Sequence, residues 1–456
     1  MLRNIVAVSN SNVVRQIAAA VAGVALVVVL WSFLAAETIS ARIPNPPLTD
    51  TVSADWVIVG AGFAGLAAAR RLAENRPEDH IILLEAQELA GAASGRNAGF
   101  AIDLPHGQQL QDELSVMPRH MRLARSAMDY LQHQVDTHGI KCQWSPRGQY
   151  HGAVSAHAFK TDIEPFASIL DQLGEPYRLL DREQLADEIG TSYYHGALYA
   201  PGAFLMNPAA LVRGLGDTLP ENVTLYENSP VIGADYGDKI TLTSPHGCVQ
   251  AQQLILGTGI YTEAFGFYKR SLVPIVLSAS LSRSLTIDEQ KTLGGQEDWG
   301  LTPVGMPGVT MRYTQDHRIL IRQKVEYGPG CRRSDAYRKR LRVVHQDRFN
   351  ARFPMLPQVT MEHTWTGFVC VAQNQGHGFG KVADNIHSAI CQNGIGVTKG
   401  TISGLLAADL ACGLDNPLIP DLQSLGTPNQ LPPQPLLGLG VRANLAWRHW
   451  TGRAEK

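Results

Sequence analysis

Gly60, Gly62 and Gly65 stand in the hexapeptide Gly60-Ala61-Gly62-Phe63-Ala64-Gly65, directly after the apolar run Asp55-Trp56-Val57-Ile58-Val59 and before the helix-forming run Leu66 to Glu74. Residue types at this spacing bring main chain close to an anion. Gly60 permits a tight turn, Gly62 lets the backbone approach a pyrophosphate, and Gly65 lets the helix pack closely on the strand. The start of the helix adds unpaired N–H groups and the positive end of its dipole. A second apolar run, His80-Ile81-Ile82-Leu83-Leu84, ends in Glu85, 20 residues beyond Gly65. At that distance a carboxylate accepts hydrogen bonds from ribose hydroxyls. A glycine hexapeptide alone is a turn of any packed α/β unit, and Glu85 alone is a solvated strand-end acid. Together, in the order strand, turn, helix, strand, acid, they predict a dinucleotide site.

Later segments bear on whether that dinucleotide is NAD or FAD. Gly91-Ala92-Ala93-Ser94-Gly95-Arg96-Asn97-Ala98-Gly99 is a small-residue loop with one cation, suited to wrapping a long pyrophosphate-bearing cofactor. Near the other end of the chain, Asn393-Gly394-Ile395-Gly396-Val397-Thr398-Lys399-Gly400 precedes a helix expected from about Thr401 to Leu410. A second glycine-rich helix start directs N–H groups at the edge of a flavin where negative charge collects on reduction. An NAD dehydrogenase has no need of it, so FAD is preferred.

The combination of the glycine turn, Glu85 and the GAASGRNAG loop resembles the glycine/D-amino acid oxidase (DAO) family of FAD enzymes, and within it the gamma-glutamylputrescine oxidoreductase branch. Phe204 to Val212, Leu254 to Gly259 and the W-x-G strand His363 to Asn374 resemble further family segments. The resemblance implies cofactor contacts at Gly60, Gly62, Phe63, Ala64, Gly65, Glu85, Ala86, Ser94, Arg96, Asn97, Val231, Gly257, Gly259, Gly394, Gly396, Val397 and Thr398. It implies FAD held non-covalently, although Cys370 stands at a spacing similar to a cysteine that bears flavin elsewhere in the family. The implied reaction oxidises the C–N bond of an amine or amino acid to an imine by hydride transfer to flavin N5, with O₂ or membrane quinone as acceptor. No obligate acid or base is required. Lys399 or His377 is a candidate to assist reoxidation, and Arg312, Tyr313 and Arg322 are candidates to meet substrate. His377, between glycines, reads more readily as an exposed loop residue. A non-catalytic flavoprotein, acting as assembly factor or redox sensor, is the alternative from another class.

The elements that must position these residues form a mixed α/β fold: a Rossmann-like FAD-binding domain plus an antiparallel-sheet substrate domain, with an N-terminal transmembrane helix. The FAD domain is expected in pieces, 51–110, 198–265 and 362–415, with 111–197 and 266–361 as substrate domain and 416–456 as a C-terminal extension. Asn222 to Tyr226, Pro230 to Ala234 and the hairpin Lys239 to Val249 read as a small antiparallel meander. Asn207 with Pro208 reads as the cap and first turn of a helix. Arg442, Trp447, Arg448 and Trp450 in the extension suit either a lipid surface or packing onto the body.

The chain has 456 residues, 45% hydrophobic and 18% charged, with 39 Lys+Arg against 41 Asp+Glu. This size allows two or three cores, disorder is excluded as the main state, and the near-neutral balance with no long basic run argues against nucleic acid as partner. Cys142, Cys248, Cys331, Cys370, Cys391 and Cys412 are scattered, with no C-x-x-C pair or zinc-type cluster, which argues against a metal site. Residues 17–36, IAAAVAGVALVVVLWSFLAA, carry no charge and are long enough to span a bilayer. Arg3 and Arg15 before them, and Glu37 after, suit a single-pass anchor with its N-terminus inside. A signal peptide cleaved after Ala36 or Ala41, and a buried core helix, are the other readings. Pro44, Pro46 and Pro47 then predict an extended spacer before the catalytic body.

Overall fold

The structure is a computed structural model that describes residues 42–104, 114 and 116–456. Trp56 to Val59 and Ile81 to Leu84 are buried on both faces, as unbroken apolar runs are in the middle of a parallel sheet. They pair in register, Val57 with Ile82 and Ile58 with Leu83. The sheet runs in the order Gly378–Ala383, Ile386–Ile390, Cys248–Leu256, Thr51–Val59, Ile81–Leu84, Val223–Tyr226. Gly233–Tyr236 and Ile240–Thr243 extend it as an antiparallel pair beside Cys248–Leu256. Val223–Tyr226, expected in the meander, instead pairs parallel with Ile81–Leu84 and ends the main sheet.

Helices Phe63–Asn75 and Thr398–Ala411 lie against each other beside this sheet. Small residues set their closeness: a Cβ on Gly404 would sit 2.0 Å from the Ala64 carbonyl oxygen. The Asp409 carboxylate, buried, accepts from Arg71 at 2.7 Å, Asn75 at 2.9 Å and Asn416 at 2.7 Å, tying the C-terminal ends of the two helices to each other and to the loop that follows. Burial alone raises a carboxyl pKa, but these three donors outweigh it and hold Asp409 below its ordinary value. Helix Met117–His138, expected in the substrate domain, packs Leu123, Ala127, Leu131 and Val135 into this same core.

The second sheet runs Met361–Val371, Val273–Ser282, Ile319–Tyr327, Thr310–Tyr313, Trp299–Pro303, Gln149–Ala153, Gly196–Ala200, Arg178–Asp181. The W-x-G strand belongs here: Trp365 is opposite Ala279 and Gly367 opposite Leu277. Helix Asp335–Arg352 covers its far face, with His345 bonded to Ser280 at 2.7 Å.

Two expectations about the N-terminal part are corrected. Residues 17–36, where the sequence places a membrane anchor, lie outside the described residues, and among the described residues no helix is long and apolar enough to cross a membrane. Met117–His138 has the length, but Arg119, Arg122, Arg125, Asp129 and Asp136 give it the charge of a surface helix. The described residues therefore give a membrane location no support. Residues 42–50, expected as a spacer, form neither helix nor strand and are pinned to the FAD layer. Arg42 pairs with the fully buried Glu227 at 2.6 Å, and the Leu48 N–H donates to Ser229 at 2.8 Å.

Candidate functional site

The glycine turn is built by close approach. Gly60 has φ +97°, and a Cβ there would lie 2.8 Å from the Gly257 carbonyl oxygen; a Cβ on Gly65 would lie 1.8 Å from the Gly60 oxygen. Fingerprint turn and returning strand thus interlock, and only glycines allow it. The Glu85 carboxylate accepts from the Ala61 N–H at 2.9 Å and the Gln87 N–H at 3.0 Å, so it is aimed before any ribose arrives. Burial, opposed by those main-chain donors, pushes its pKa above the ordinary carboxyl value. Phe63, first residue of the fingerprint helix, gives its N–H to the Ser94 hydroxyl at 3.2 Å. Asn97 donates to the Ser94 carbonyl at 2.6 Å and accepts from the Gly99 N–H at 2.8 Å, folding the small-residue loop over the helix start. The Trp365 indole donates to the Arg96 carbonyl at 2.9 Å, which fastens the loop under the roof sheet.

These groups open on one cavity of about 1580 Å³ between the two sheets. Ligand sites are commonly about 300–1,000 Å³, so the space suits a dinucleotide with a second molecule beside it. Gly60, Gly62, Phe63, Ala64, Glu85, Ala86, Ser94, Arg96, Asn97, Val231, Gly257, Gly259, Gly394, Gly396 and Val397 all line it. Gly65 and Thr398 do not. Gly65 acts one layer below through its contact with Gly60, and the Thr398 hydroxyl donates to the Ile102 carbonyl at 3.2 Å. Space is open beside Gly394 and Gly396, which line the cavity together with Val397 at that helix start. Glycine cradle, oriented carboxylate and second helix start are the donor set that FAD requires, and the residues fit it.

The candidates for chemistry separate. Arg322 lines the cavity, whereas Arg312 and Tyr313 do not. Arg312 is buried and donates to the Met206 carbonyl, pinning the roof to the FAD layer, and the Tyr313 hydroxyl bonds His317 at 3.1 Å. Lys399 and His377 are also off the cavity wall. His377 is 1% exposed, and burial, together with nearby Lys399 and His120, holds its pKa well below 6.5. It is a neutral interior histidine, neither exposed nor a cation at the site. Cys370 lines the wall as a buried thiol whose contact with Cys391 and burial raise its pKa, which keeps it protonated.

The C-terminal helix Leu436–Thr451 forms part of the cavity wall through Leu437, Val441, Asn444, Leu445, Arg448 and His449. The sequence does signal this in retrospect: Leu437, Val441, Leu445 and Arg448 recur at three- and four-residue spacing. Trp447 and Trp450, the more conspicuous residues, point outward at 60% and 64% exposure.

The sequence pattern of the FAD dependent oxidoreductase (DAO) family matches residues 55–410. The chain is 26% identical over 382 residues to gamma-glutamylputrescine oxidoreductase of Escherichia coli, covering 81% of this chain and 86% of that protein. It is 23% identical over 389 residues to the probable oxidoreductase OrdL of Haemophilus influenzae, covering 82% and 86%. Among solved structures, glycine oxidase from Geobacillus kaustophilus superposes with a TM-score of 0.68 at 18% identity, over 84% of this chain and all 100% of that one. An L-amino acid deaminase from Proteus vulgaris superposes at 0.64 and 15% identity, over 85% of this chain and 99% of that one. With the family pattern running from the fingerprint strand to the second glycine-started helix, the chain belongs to the FAD dependent oxidoreductases of the DAO family, enzymes of the amine and amino-acid oxidase type.

Proposed function

We propose that this enzyme oxidises the C–N bond of a small amine or amino acid to an imine, with O₂ or a quinone as the electron acceptor. The observation that carries the reading is the convergence of two glycine-lined helix starts on one cavity that continues beneath a largely apolar roof. The chemistry that FAD supplies when bound is acceptance of a hydride from the carbon bearing the nitrogen. The chain binds, orients and dries the site. Glu85, Ser94 and the glycine turn hold the dinucleotide, and the N–H groups at Gly394–Val397 supply positive potential at the opposite end. Val273, Ile275 and Leu277 of the roof exclude water above the reacting carbon, which strengthens every charge interaction below. Gly367 puts no side chain of its own into the cavity, and a Cβ there would meet only the Arg96 Cβ, at 3.9 Å. No step requires a protein acid or base, since the neutral amine is the reacting form. The enzyme is therefore expected to gain activity as pH rises toward the amine's own pKa.

Anaerobic addition of a panel of amines and amino acids to the purified, FAD-loaded enzyme tests this. Loss of the oxidised flavin colour with at least one compound is expected, and persistent colour with all of them would sink the reading. Substrate-dependent hydrogen peroxide then identifies O₂ as acceptor, and reduction of an added quinone without peroxide identifies the other.

A further inference from the structure

Residues 42–48 precede the residues 55–410 that the family pattern matches, yet their polar groups converge on one buried carboxylate. Glu227 directly follows the strand Val223–Tyr226 and is fully enclosed. One of its oxygens accepts from the Asn45 N–H at 3.0 Å and from the Asn45 side-chain amide at 2.9 Å. The other accepts from the Arg42 guanidinium and from the Leu89 N–H, both at 2.8 Å. A carboxylate taken out of water is costly unless it is paired and its lone pairs are filled. Arg42 supplies the counter-charge, and the same guanidinium reaches Asp217 at 2.8 Å. Leu48 adds an apolar anchor, buried in one cluster with Val57, Val59, Ile82 and Leu84 of the two fingerprint strands.

From Glu227 the contacts lead to the acid that the fingerprint assigns to ribose. Leu89 stands in the loop that leaves Glu85, so the Glu227 carboxylate grips that loop from behind. The two residues after Glu227 hold the start of the same loop: the Asn228 N–H donates to the Gln87 carbonyl at 3.0 Å, and the Ser229 N–H to the Glu85 carbonyl at 2.8 Å. The Ser229 hydroxyl accepts from the Leu48 N–H at 2.8 Å and donates to the Glu227 carbonyl at 2.9 Å. Gln87 in turn gives its N–H to the Glu85 carboxylate at 3.0 Å. Glu85, Gln87 and Ser229 line the cavity, whereas Arg42, Asn45, Glu227 and Leu89 do not. Whatever Arg42 does for the cofactor, it does through these neighbours.

We propose that residues 42–48 are a working part of the dinucleotide site: Arg42, through Glu227, is a positioning residue for the loop that carries Glu85, and occupancy of the adenosine half of the site in turn fastens this leading segment. The two effects are one coupling free energy read from either side. The segment carries its own reporter. Ile43 is exposed, so the Arg42–Ile43 bond is open to a protease that cuts after arginine. The Arg42 side chain, held by Glu227 and Asp217, cannot enter the protease until the segment lifts.

Limited trypsin digestion of the full-length protein, with mass analysis of the fragment that begins at Ile43, tests the coupling in one direction. Cleavage after Arg42 is expected to be about tenfold or more slower in the FAD-loaded protein than in the FAD-stripped one. ADP, which carries the adenosine and a pyrophosphate, should restore most of that protection, and FMN, which lacks the adenosine, should not. In the other direction, Arg42→Gln should release FAD about tenfold or more faster than the parent, followed by flavin fluorescence on dilution. Arg42→Lys keeps a charge for Glu227 and should release it less than about threefold faster. Equal cleavage with and without FAD, protection by FMN as strong as by ADP, an Arg42→Gln protein that holds FAD as the parent does, or an Arg42→Lys protein that loses it as fast as Arg42→Gln, each overturns the proposal. Should Arg42→Gln fail to fold, digestion of the parent with ADP and FMN decides the matter. A tie that served folding alone would leave cleavage indifferent to which half of the cofactor is present. None of these measurements needs turnover, so they stand whether or not an amine reduces the enzyme.

Discussion

Glu85 carries two tasks with one carboxylate. Each oxygen already accepts a main-chain N–H, one from the glycine turn at Ala61 and one from Gln87 on its own loop, which leaves lone pairs free toward the cavity. Replacing it with alanine removes the ribose acceptor and also the brace that fixes the turn. Hydrogen bonds to charged groups are worth about 1.5–3 kcal/mol each, so Glu85→Ala is expected to raise the FAD dissociation constant roughly 10- to 100-fold. Equilibrium dialysis of FAD against the variant measures this. Glu85→Gln keeps one carbonyl acceptor and should fall between the two. A change of less than threefold for the alanine variant would mean that the glycine turn holds the dinucleotide unaided.

Among elements, the contact of helices Phe63–Asn75 and Thr398–Ala411 decides whether the two glycine-rich starts face the same space. Gly404 is its tightest point. Alanine there gains about 1 kcal/mol of helix propensity, but its Cβ meets the Ala64 carbonyl oxygen, which is backbone and cannot rotate aside. Overpacking of this kind costs about 1–3 kcal/mol, at the upper end where backbone must move. Gly404→Ala is therefore expected to lower stability by about 1–2 kcal/mol in urea melts and to release FAD faster. A stabilised variant would show that the helices slide freely. The glycine turn, Glu85 and both helix starts were legible in the sequence because local spacing specifies them, and Asn207 caps its helix as its neighbour Pro208 implies, accepting from Ala209 and Ala210. What resisted reading depends on distant partners. Val223–Tyr226 alternates like a meander strand but finds its edge beside Ile81–Leu84. Arg312 and Arg322 lie on neighbouring strands as similar single cations, and only the fold turns one into the cavity and the other toward Met206. The C-terminal helix hid its inner leucines behind two outward tryptophans.

Across the whole molecule, several histidines are kept neutral by the fold. Burial lowers His345 and His387 to about 4 and, with Lys399 and Arg119, His120 to about 3, and His377 falls well below 6.5. In the unfolded chain each titrates near 6.5. Below that value the unfolded chain binds more protons than the folded one, so stability is unaffected above about pH 6.5 and declines as pH falls toward 4. His345 and His377, the most enclosed, each contribute a slope approaching about 1.4 kcal/mol per pH unit in that window. Thermal melts of the FAD-loaded enzyme should be level between pH 7 and 8 and fall steadily below 6.5. His345→Gln, which keeps polar contact with Ser280 but takes up no proton, should flatten the decline. Parallel melting curves for parent and variant would remove His345 from the account.

The order of strands in the first sheet also sets an order in time. Thr51–Val59, next to the glycine turn, has Cys248–Leu256 on one side, and that strand in turn is flanked by Ile386–Ile390. A growing chain that has made the entire fingerprint still lacks the strand that seats it, and must be extended by some three hundred residues before the sheet is whole. Contacts this distant in sequence make for slow closure. Dinucleotide capture is accordingly a late event in synthesis, and a chain interrupted before Ile386–Ile390 holds every residue of the fingerprint without a completed cradle.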